Sequence, residues 1–264
     1  MRTAGIPILL YHGVTSATST TLAPYSVSPE VFAKQMAYLA AKRYTTMPLS
    51  QVVSHVIAGA PLPQKPIAIT FDDGFLDTYL NAFPILLRYG FTATVFIVAE
   101  RVGRNAEWDS SCDEPSPLLM SWEQIREMVG EGISVGAHSC THPYLAQLNV
   151  DEARGEIERS RKIIEDNVGV AAMFFAYPHS SFNDTIREIV RESGYSAAFS
   201  TRWGLADSTN DVFSLNRMMV LKEHDFGYFK WMVDLGVAHP WYYRILKGKK
   251  TAVRKMLKSP LLMR

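Results

Sequence analysis

Short apolar runs alternate with longer segments of helical periodicity along most of the chain. The apolar runs lie at residues 6–11, 67–71, 93–98, 133–137, 173–177 and 195–200. Because each run is short and precedes a segment with the period of an amphipathic helix, the pattern predicts strands that alternate with helices. Such an alternation favours a mostly parallel sheet, either open or closed into a barrel.

Capping residues mark the ends of the predicted helices. Ser28 with Pro29 is typical of a helix start, and Asn149 with Glu152 forms a capping-box pattern. Predicted helices begin near residues 28, 48, 75, 121, 149 and 184. The stretch at residues 100–120, rich in Asp, Ser and Pro, predicts a long loop that either shapes a binding site or is disordered.

Composition indicates an ordinary globular protein of 264 residues, 47% hydrophobic and 20% charged. Two cysteines are too few for a disulfide framework. We expect one α/β domain over residues 1–240 and a basic helical tail over residues 241–264. The tail carries eight basic residues, no acidic one, and interleaved aromatic and aliphatic residues, so it either lies on an anionic membrane surface or packs as a solvated helix.

Titratable side chains follow four of the predicted strands. They are His12, the pair Asp72 and Asp73, the pair His138 and His142, and His179. The carboxyl ends of parallel strands meet at one edge of a sheet, so these side chains are expected to lie close together. Carboxylate and imidazole ligands are typical of a hydrolytic zinc site. Each signal alone has a structural alternative, because Asp-Asp-Gly is a common turn and paired histidines often lie at the surface.

Two segments, Thr70-Phe71-Asp72-Asp73-Gly74 and His138-Ser139-Cys140-Thr141-His142, resemble the first two motifs of the polysaccharide deacetylase family. This family is also called the NodB-homology or carbohydrate esterase family 4 domain. The resemblance extends over roughly residues 5–220 and implies a distorted (β/α)7 barrel. It implies that Asp72 is the general base and that Asp73, His138 and His142 hold a divalent metal, usually zinc.

The proton donor is where the chain departs from the usual family order. The late Leu-x-His motif that normally supplies the donor is missing after Pro178. The early segment Leu10-Tyr11-His12-Gly13 instead resembles circularly permuted members that deacetylate poly-N-acetylglucosamine. His12 is therefore predicted to be the general acid, and the alternative is a buried histidine at the end of a strand.

The third family motif, Arg-x-Pro-Tyr, appears as Ala176-Tyr177-Pro178-His179, without the arginine and the final tyrosine. The backbone N–H of His179, next to Pro178, can still donate to an oxyanion. Arg217, before a late apolar segment, is the candidate to orient Asp72, with an exposed arginine as the alternative. Trp108 and Trp203 are predicted to stack on sugar rings, with core packing as the alternative.

These features predict a metal-dependent hydrolase that removes an N-acetyl group from an N-acetylated sugar, with Zn²⁺ or another divalent ion as cofactor. An O-acetyl esterase, a non-sugar amidase and a saccharide-binding protein without catalysis are the alternatives. The start of the chain lacks the apolar core of a signal peptide. We therefore expect a cytoplasmic enzyme, either free or membrane-associated, that acts on a saccharide or glycolipid precursor and has no nucleic-acid partner.

Overall fold

A curved sheet of parallel strands forms the centre of the fold in the computed structural model, which describes residues 5–16, 22–109 and 116–236. The strands are β1 (Ile8–Tyr11), β2 (Thr45–Thr46), β3 (Pro66–Phe71), β4 (Thr94–Ile97), β5 (Ser134–Ala137), β6 (Phe174–Ala176), β7 (Ala197–Phe199) and β8 (Met218–Met219). Seven of them follow the order β7-β6-β5-β4-β3-β1-β8, and β2 pairs with β3 outside this path.

The segment between Leu215 and Met219 contacts both edges of this sheet. Leu215 bridges Phe199 of β7, and β8 pairs with Leu9 and Leu10 of β1. This short segment therefore bridges β7 and β1 and curls the sheet into a distorted barrel. The predicted α/β fold with seven barrel strands in a single domain is confirmed.

Helices cover the outside of the barrel. They are α1 (Pro29–Ala41), α2 (Leu49–Ala58), α3 (Phe83–Tyr89), α4 (Trp122–Gly130), α5 (Val150–Val168), α6 (Asp184–Glu192) and α7 (Phe226–Leu235). The side chain of Ser28 caps α1 by accepting from Val31 N–H, and Asn149 and Glu152 form both bonds of a capping box at α5. A π-turn at Thr78–Ala82 leads directly into α3.

Alternate residues of β1 and β3 face two apolar layers. Leu9 and Ile69 point towards the surrounding helices, whereas Ile8 and Ala68 belong to a second buried cluster that includes residues of α2. Gly136 allows a close approach inside the barrel, because a Cβ there would lie 2.6 Å from the Phe96 ring and 2.9 Å from a backbone oxygen.

Two elements were not predicted. The strand β2 is only two residues long, and α7 begins directly after Asp225, whose side chain caps it by accepting from Tyr228 N–H. The described helices include none that is long and apolar enough to cross a bilayer. The tail at residues 241–264 lies outside the described residues, so its predicted helix and membrane contact stay predictions.

Candidate active site

The two neighbouring carboxylates at the end of β3 reach different partners. Asp72 N–H donates to Tyr11 O at 3.0 Å and so extends the pairing of β3 with β1 by one residue. Asp73 has a φ of 71°, a left-handed conformation that is uncommon for a residue other than glycine. The chain turns there and continues through Gly74, also at positive φ. Both carboxylates are buried, at 1% and 5% exposure.

Asp73 converges with His138 and His142. Asp73 Oδ1 lies 3.4 Å from His138 Nε2 and 3.2 Å from His142 Nε2. These ligand atoms all lie within 4.8 Å of one another. His138 Nδ1 lies 2.8 Å from Ala176 O, which favours the tautomer that leaves a lone pair on Nε2. Asp73 Oδ1 is buried without a hydrogen-bond partner, so a bound cation would fit this donor set.

The electrostatics of this cluster also fit a cation. Burial alone would raise the pKa of Asp73. The neighbouring imidazoles lower this pKa by a larger amount, so it lies well below the ordinary value of 3.8. Burial lowers the pKa of His142 below its ordinary 6.5. Burial likewise opposes charging of His138, but Asp72 and Asp73 raise its pKa overall. Asp73 and His142 therefore have the protonation state that metal ligands require, whereas His138 would give up its proton when a cation binds.

A carboxylate on α5 holds the loop between the two histidines. Glu156 Oε2 accepts from Cys140 N–H and Thr141 N–H, both at 2.9 Å, and Glu156 Oε1 accepts from the Thr141 hydroxyl at 2.9 Å. Within the loop, His142 N–H donates to Ser139 Oγ at 3.0 Å. These bonds fix a turn in which Ser139 and His142 both have positive φ.

Asp72 is paired with a fully buried arginine. Arg217 Nη1 donates to Asp72 Oδ1 and Arg217 Nη2 to Asp72 Oδ2, both at 2.7 Å. Arg217 Nε donates to Ser200 O at 3.0 Å, and Nη1 also reaches Thr70 Oγ1 at 3.3 Å. Burial raises the pKa of Asp72, but the Arg217 guanidinium together with the nearby His138 and His12 lowers it below 3.8. The structure therefore places Arg217 against the carboxylate that it was predicted to orient.

A cavity of about 500 Å³ brings the remaining site residues together. Its wall includes His12, Asp72, Asp73, Trp108, His138, His142, Tyr144 and His179. The buried Pro178 lies between Tyr177 and His179, which both line the cavity.

Aromatic rings pack closely around His142. Trp108 stacks on His142 at 4.5 Å between ring centroids, and the His179 ring meets His142 edge-on at 4.4 Å. Tyr144 stacks on His179 at 3.9 Å. Burial and the neighbouring His142 lower the pKa of His179 to about 4, so its imidazole is neutral near pH 7.

Trp203 is the predicted site residue that the structure does not bring to this cavity. Its ring lies beside α7, 6.2 Å from the His224 ring and 6.4 Å from the Tyr228 ring, and it packs against the buried core. Its surroundings in the sequence are as polar as those of Trp108, but the loop that carries it turns towards α7. The expected contact between Trp203 and a sugar is not supported by this position, and core packing is the better description.

Three residues around the site had no role in the sequence interpretation. Tyr25 lines the cavity beside His12, with the two ring centroids 5.4 Å apart. Glu156 holds the loop of His138 and His142 from α5, and Asp77 lies four residues after Asp73. Glu156 carries the clearest signal, because it is a charged residue on the buried stripe of α5 that includes Ala153, Ile157, Ser160 and Ile164.

The site combines a buried Asp-His-His cluster with an Asp–Arg pair, and both lie at the carboxyl ends of barrel strands. This arrangement is that of a hydrolase of the (β/α)-barrel class with a candidate metal centre. The sequence signature of the polysaccharide deacetylase family matches residues 59–198, which is more than half of the chain. The chain belongs to this family.

Individual relatives agree with this assignment. YxkH of Bacillus subtilis, which carries the same family description, is 26% identical over 217 residues, covering 82% of this chain and 72% of that one. The poly-beta-1,6-N-acetyl-D-glucosamine N-deacetylase of Escherichia coli is 25% identical over 228 residues, covering 74% of this chain but 34% of that one. The structure of the Streptococcus pyogenes deacetylase PplD, in complex with acetate, matches with a TM-score of 0.77 and 25% identity, covering 88% and 99%.

Proposed function

We propose that this protein removes N-acetyl groups from a neutral saccharide that contains N-acetylglucosamine. The observation that carries the proposal is the placement of the Asp73-His138-His142 cluster and the Asp72–Arg217 pair in one cavity. Binding alone has no need of a carboxylate whose orientation and charge are fixed next to a metal site, whereas hydrolysis requires a base there.

The chain's own residues have distinct roles in this proposal. Asp73, His138 and His142 would hold a divalent cation, proposed to be zinc, which supplies Lewis-acid chemistry when bound. Asp72 accepts the proton of the attacking water, and Arg217 keeps that carboxylate ionised and oriented. His12, in the wall of the same cavity, gives a proton to the leaving nitrogen. The backbone N–H of His179 donates to the developing oxyanion.

The cavity wall supports a neutral sugar as the substrate. Apart from the carboxylates and histidines assigned above, the described residues of the wall carry no charged side chain. Tyr25, Trp108 and Tyr144 offer aromatic faces, which suit the apolar faces of sugar rings. A phosphate-bearing substrate would need counter-charges, and Arg217 is already engaged with Asp72. The named activity of the Escherichia coli relative agrees with a neutral N-acetylglucosamine polymer.

Acetate release from N-acetylglucosamine oligosaccharides tests the proposal. Activity should require added or retained metal, and Asp72→Asn and His12→Ala should each lower turnover by about 10²–10⁴-fold. The His12 variant should retain its metal, as measured by elemental analysis. Asp184→Asn, at an exposed position on α6, serves as the control and should be fully active. Undiminished acetate release after chelation or in Asp72→Asn would rule the mechanism out.

The identity of the bound metal and the cellular location of the protein need separate measurements. Elemental analysis of protein purified without added metal identifies the ion that the site retains, and cell fractionation tests the expected cytoplasmic location. Deleting residues 241–264 should abolish any membrane association if the tail provides it. Unchanged fractionation of the deletion variant would contradict that part of the proposal and leave the catalytic assignment intact.

A further inference from the structure

The backbone N–H and C=O of Val14, two residues after His12, form hydrogen bonds with side chains of the segment that follows Asp72 and Asp73. Val14 N–H donates to Asp77 Oδ1 at 3.1 Å, and Asn81 Nδ2 donates to Val14 O at 2.8 Å. Both backbone polar groups of Val14 are thus bonded to side chains more than 60 positions away. Val14 itself is completely buried.

Local geometry explains why one segment can make both bonds. Asp77 and Asn81 are four residues apart, a spacing that puts side chains on the same face of a helical segment. Asp77 is the N-cap of the Thr78–Ala82 π-turn and Asn81 lies within it, and such turns are frequent at functional sites. The helical segment starts at residue 76, so Gly74 and Phe75 separate it from Asp72 and Asp73.

The His12 ring depends on this backbone for its orientation. Among the described residues, His12 Nδ1 has no hydrogen-bond partner although it is buried. No carboxylate or carbonyl therefore fixes the ring through that nitrogen, in contrast to His138. The residues on either side are held instead: Tyr11 O accepts from Asp72 N–H, and Gly13 O accepts from Val27 N–H, both at 3.0 Å. The bonds to Val14 complete this set.

We propose that Asp77 and Asn81 are positioning residues for His12, and that they place its ring through the backbone of Val14. The inference rests on the proposed role of His12 as general acid. It assigns Asp77 and Asn81 no contact with substrate or metal. Loss of either bond should therefore impair proton donation to the leaving group more than any other step.

The dependence of the rate on the leaving group tests this inference. Release of an amine from an N-acetylglucosamine oligosaccharide needs a proton donor, whereas 4-nitrophenolate leaves from 4-nitrophenyl acetate without one. Each variant is assayed on both substrates, with Asp72→Asn giving the background for the ester. Asp77→Ala and Asn81→Ala should lower kcat/KM for the amide by about 10–100-fold and change the ester rate by less than about threefold. Asp77→Asn keeps an acceptor oxygen and should restore the amide rate.

Two reference variants separate the possible outcomes. His12→Ala should show the same selective loss on the amide, and Leu80→Ala, at a position 57% exposed in the same segment, should change neither rate. A His12→Ala variant with equal losses on both substrates would refute the acid role and this inference with it. A selective loss in His12→Ala that is absent from both Asp77→Ala and Asn81→Ala would refute the positioning role alone. If Asp77→Ala fails to fold, Asn81→Ala and Asp77→Asn decide the matter.

Discussion

Replacing Arg217 by methionine tests the buried charge pair at the centre of the site. Methionine keeps an unbranched side chain and removes the guanidinium, which is 0% exposed. The change deprives Asp72 of two hydrogen bonds of 2.7 Å and Ser200 O of one of 3.0 Å. The Asp72 carboxylate, 1% exposed, is then left in the barrel without its counter-charge.

The expected loss of stability is large. Breaking a buried ion pair from one side costs about 3–5 kcal/mol, because the remaining charge stays desolvated and unpaired. We therefore expect the free energy of unfolding of metal-free Arg217→Met to fall by about 3–5 kcal/mol at pH 7. Replacing Asp72 by asparagine in the same variant removes that charge and should recover about 2 kcal/mol or more. Arg126→Met, which breaks an exposed pair with Glu123, should cost less than about 1 kcal/mol.

The pH dependence of this loss follows from the two opposing effects on the pKa of Asp72. In the native protein the guanidinium lowers that pKa below 3.8, so the pair contributes stability above pH 4 that is lost as the pH falls. In Arg217→Met burial, the largest effect on this pKa, is opposed only by the nearby His138 and His12, so we expect the pKa of the carboxyl to rise above its unfolded value. Its native state then binds more protons than its unfolded state, so stability falls as the pH rises from 4 to 7.

Urea unfolding between pH 4 and pH 8, followed by circular dichroism, measures both effects. Wild type, Arg217→Met, the double variant and Arg126→Met are compared as metal-free proteins. A loss below about 1 kcal/mol at pH 7 would show that Asp72 does not depend on Arg217. A double variant as unstable as Arg217→Met would show that packing, not the unpaired charge, causes the loss.

Three further predictions concern residues around the site. Glu156→Ala should weaken zinc binding by about 10–100-fold in a competition titration, and Glu156→Gln should weaken it less. The control Glu158→Ala, on the exposed side of α5, should leave zinc affinity unchanged. Equal affinities in all three variants would contradict a role for Glu156 in holding the loop. Burial and Asp73 raise the pKa of Asp77 to about 6, so Asp77→Asn should be more stable than wild type by up to about 3 kcal/mol at pH 8 and by nothing near pH 3.5. A pH-independent difference would contradict this shift. Burial and Glu156 raise the pKa of the Cys140 thiol to about 12, so in a Cys112→Ser background this thiol should react with a disulfide reagent only on unfolding.

The parts of the fold that sequence could predict are those specified by local pattern. The alternation of apolar runs with capped helical segments predicts the barrel strands and most helices, because side-chain period and capping are properties of neighbouring residues. The gathering of Asp72, Asp73, His138 and His142 at one edge follows from parallel strand order. The strand β2 and the helix α7 were missed because their existence depends on tertiary contacts with β3 and α1.

Side-chain partners across the barrel could not be predicted. Arg217 precedes two methionines in the sequence, and its partner Asp72 lies 145 residues earlier. Sequence could offer only an arginine near a strand, with an exposed position as an equal alternative. Trp108 and Trp203 show the same limit, since both stand in polar segments and only the path of each loop decides which one reaches the cavity. Contacts of this kind are set by topology and not by local propensity.

The left-handed residues of the site explain why so many buried polar bonds surround it. Among the described residues, seven that are not glycine have positive φ, and five of them lie in the site loops: Asp73, Ser139, His142, His179 and Ser180. Each costs about 1–2 kcal/mol, so their sum is comparable with the whole stability of a domain. That cost persists only where other interactions fix the backbone. Two of the interactions that fix these loops come from elsewhere in the fold: Glu156 accepts three bonds of 2.9 Å from the loop between His138 and His142, and Arg217 holds Asp72, the neighbour of Asp73. Removing either should therefore relax the loops towards ordinary backbone conformations and draw the ligand and base atoms apart.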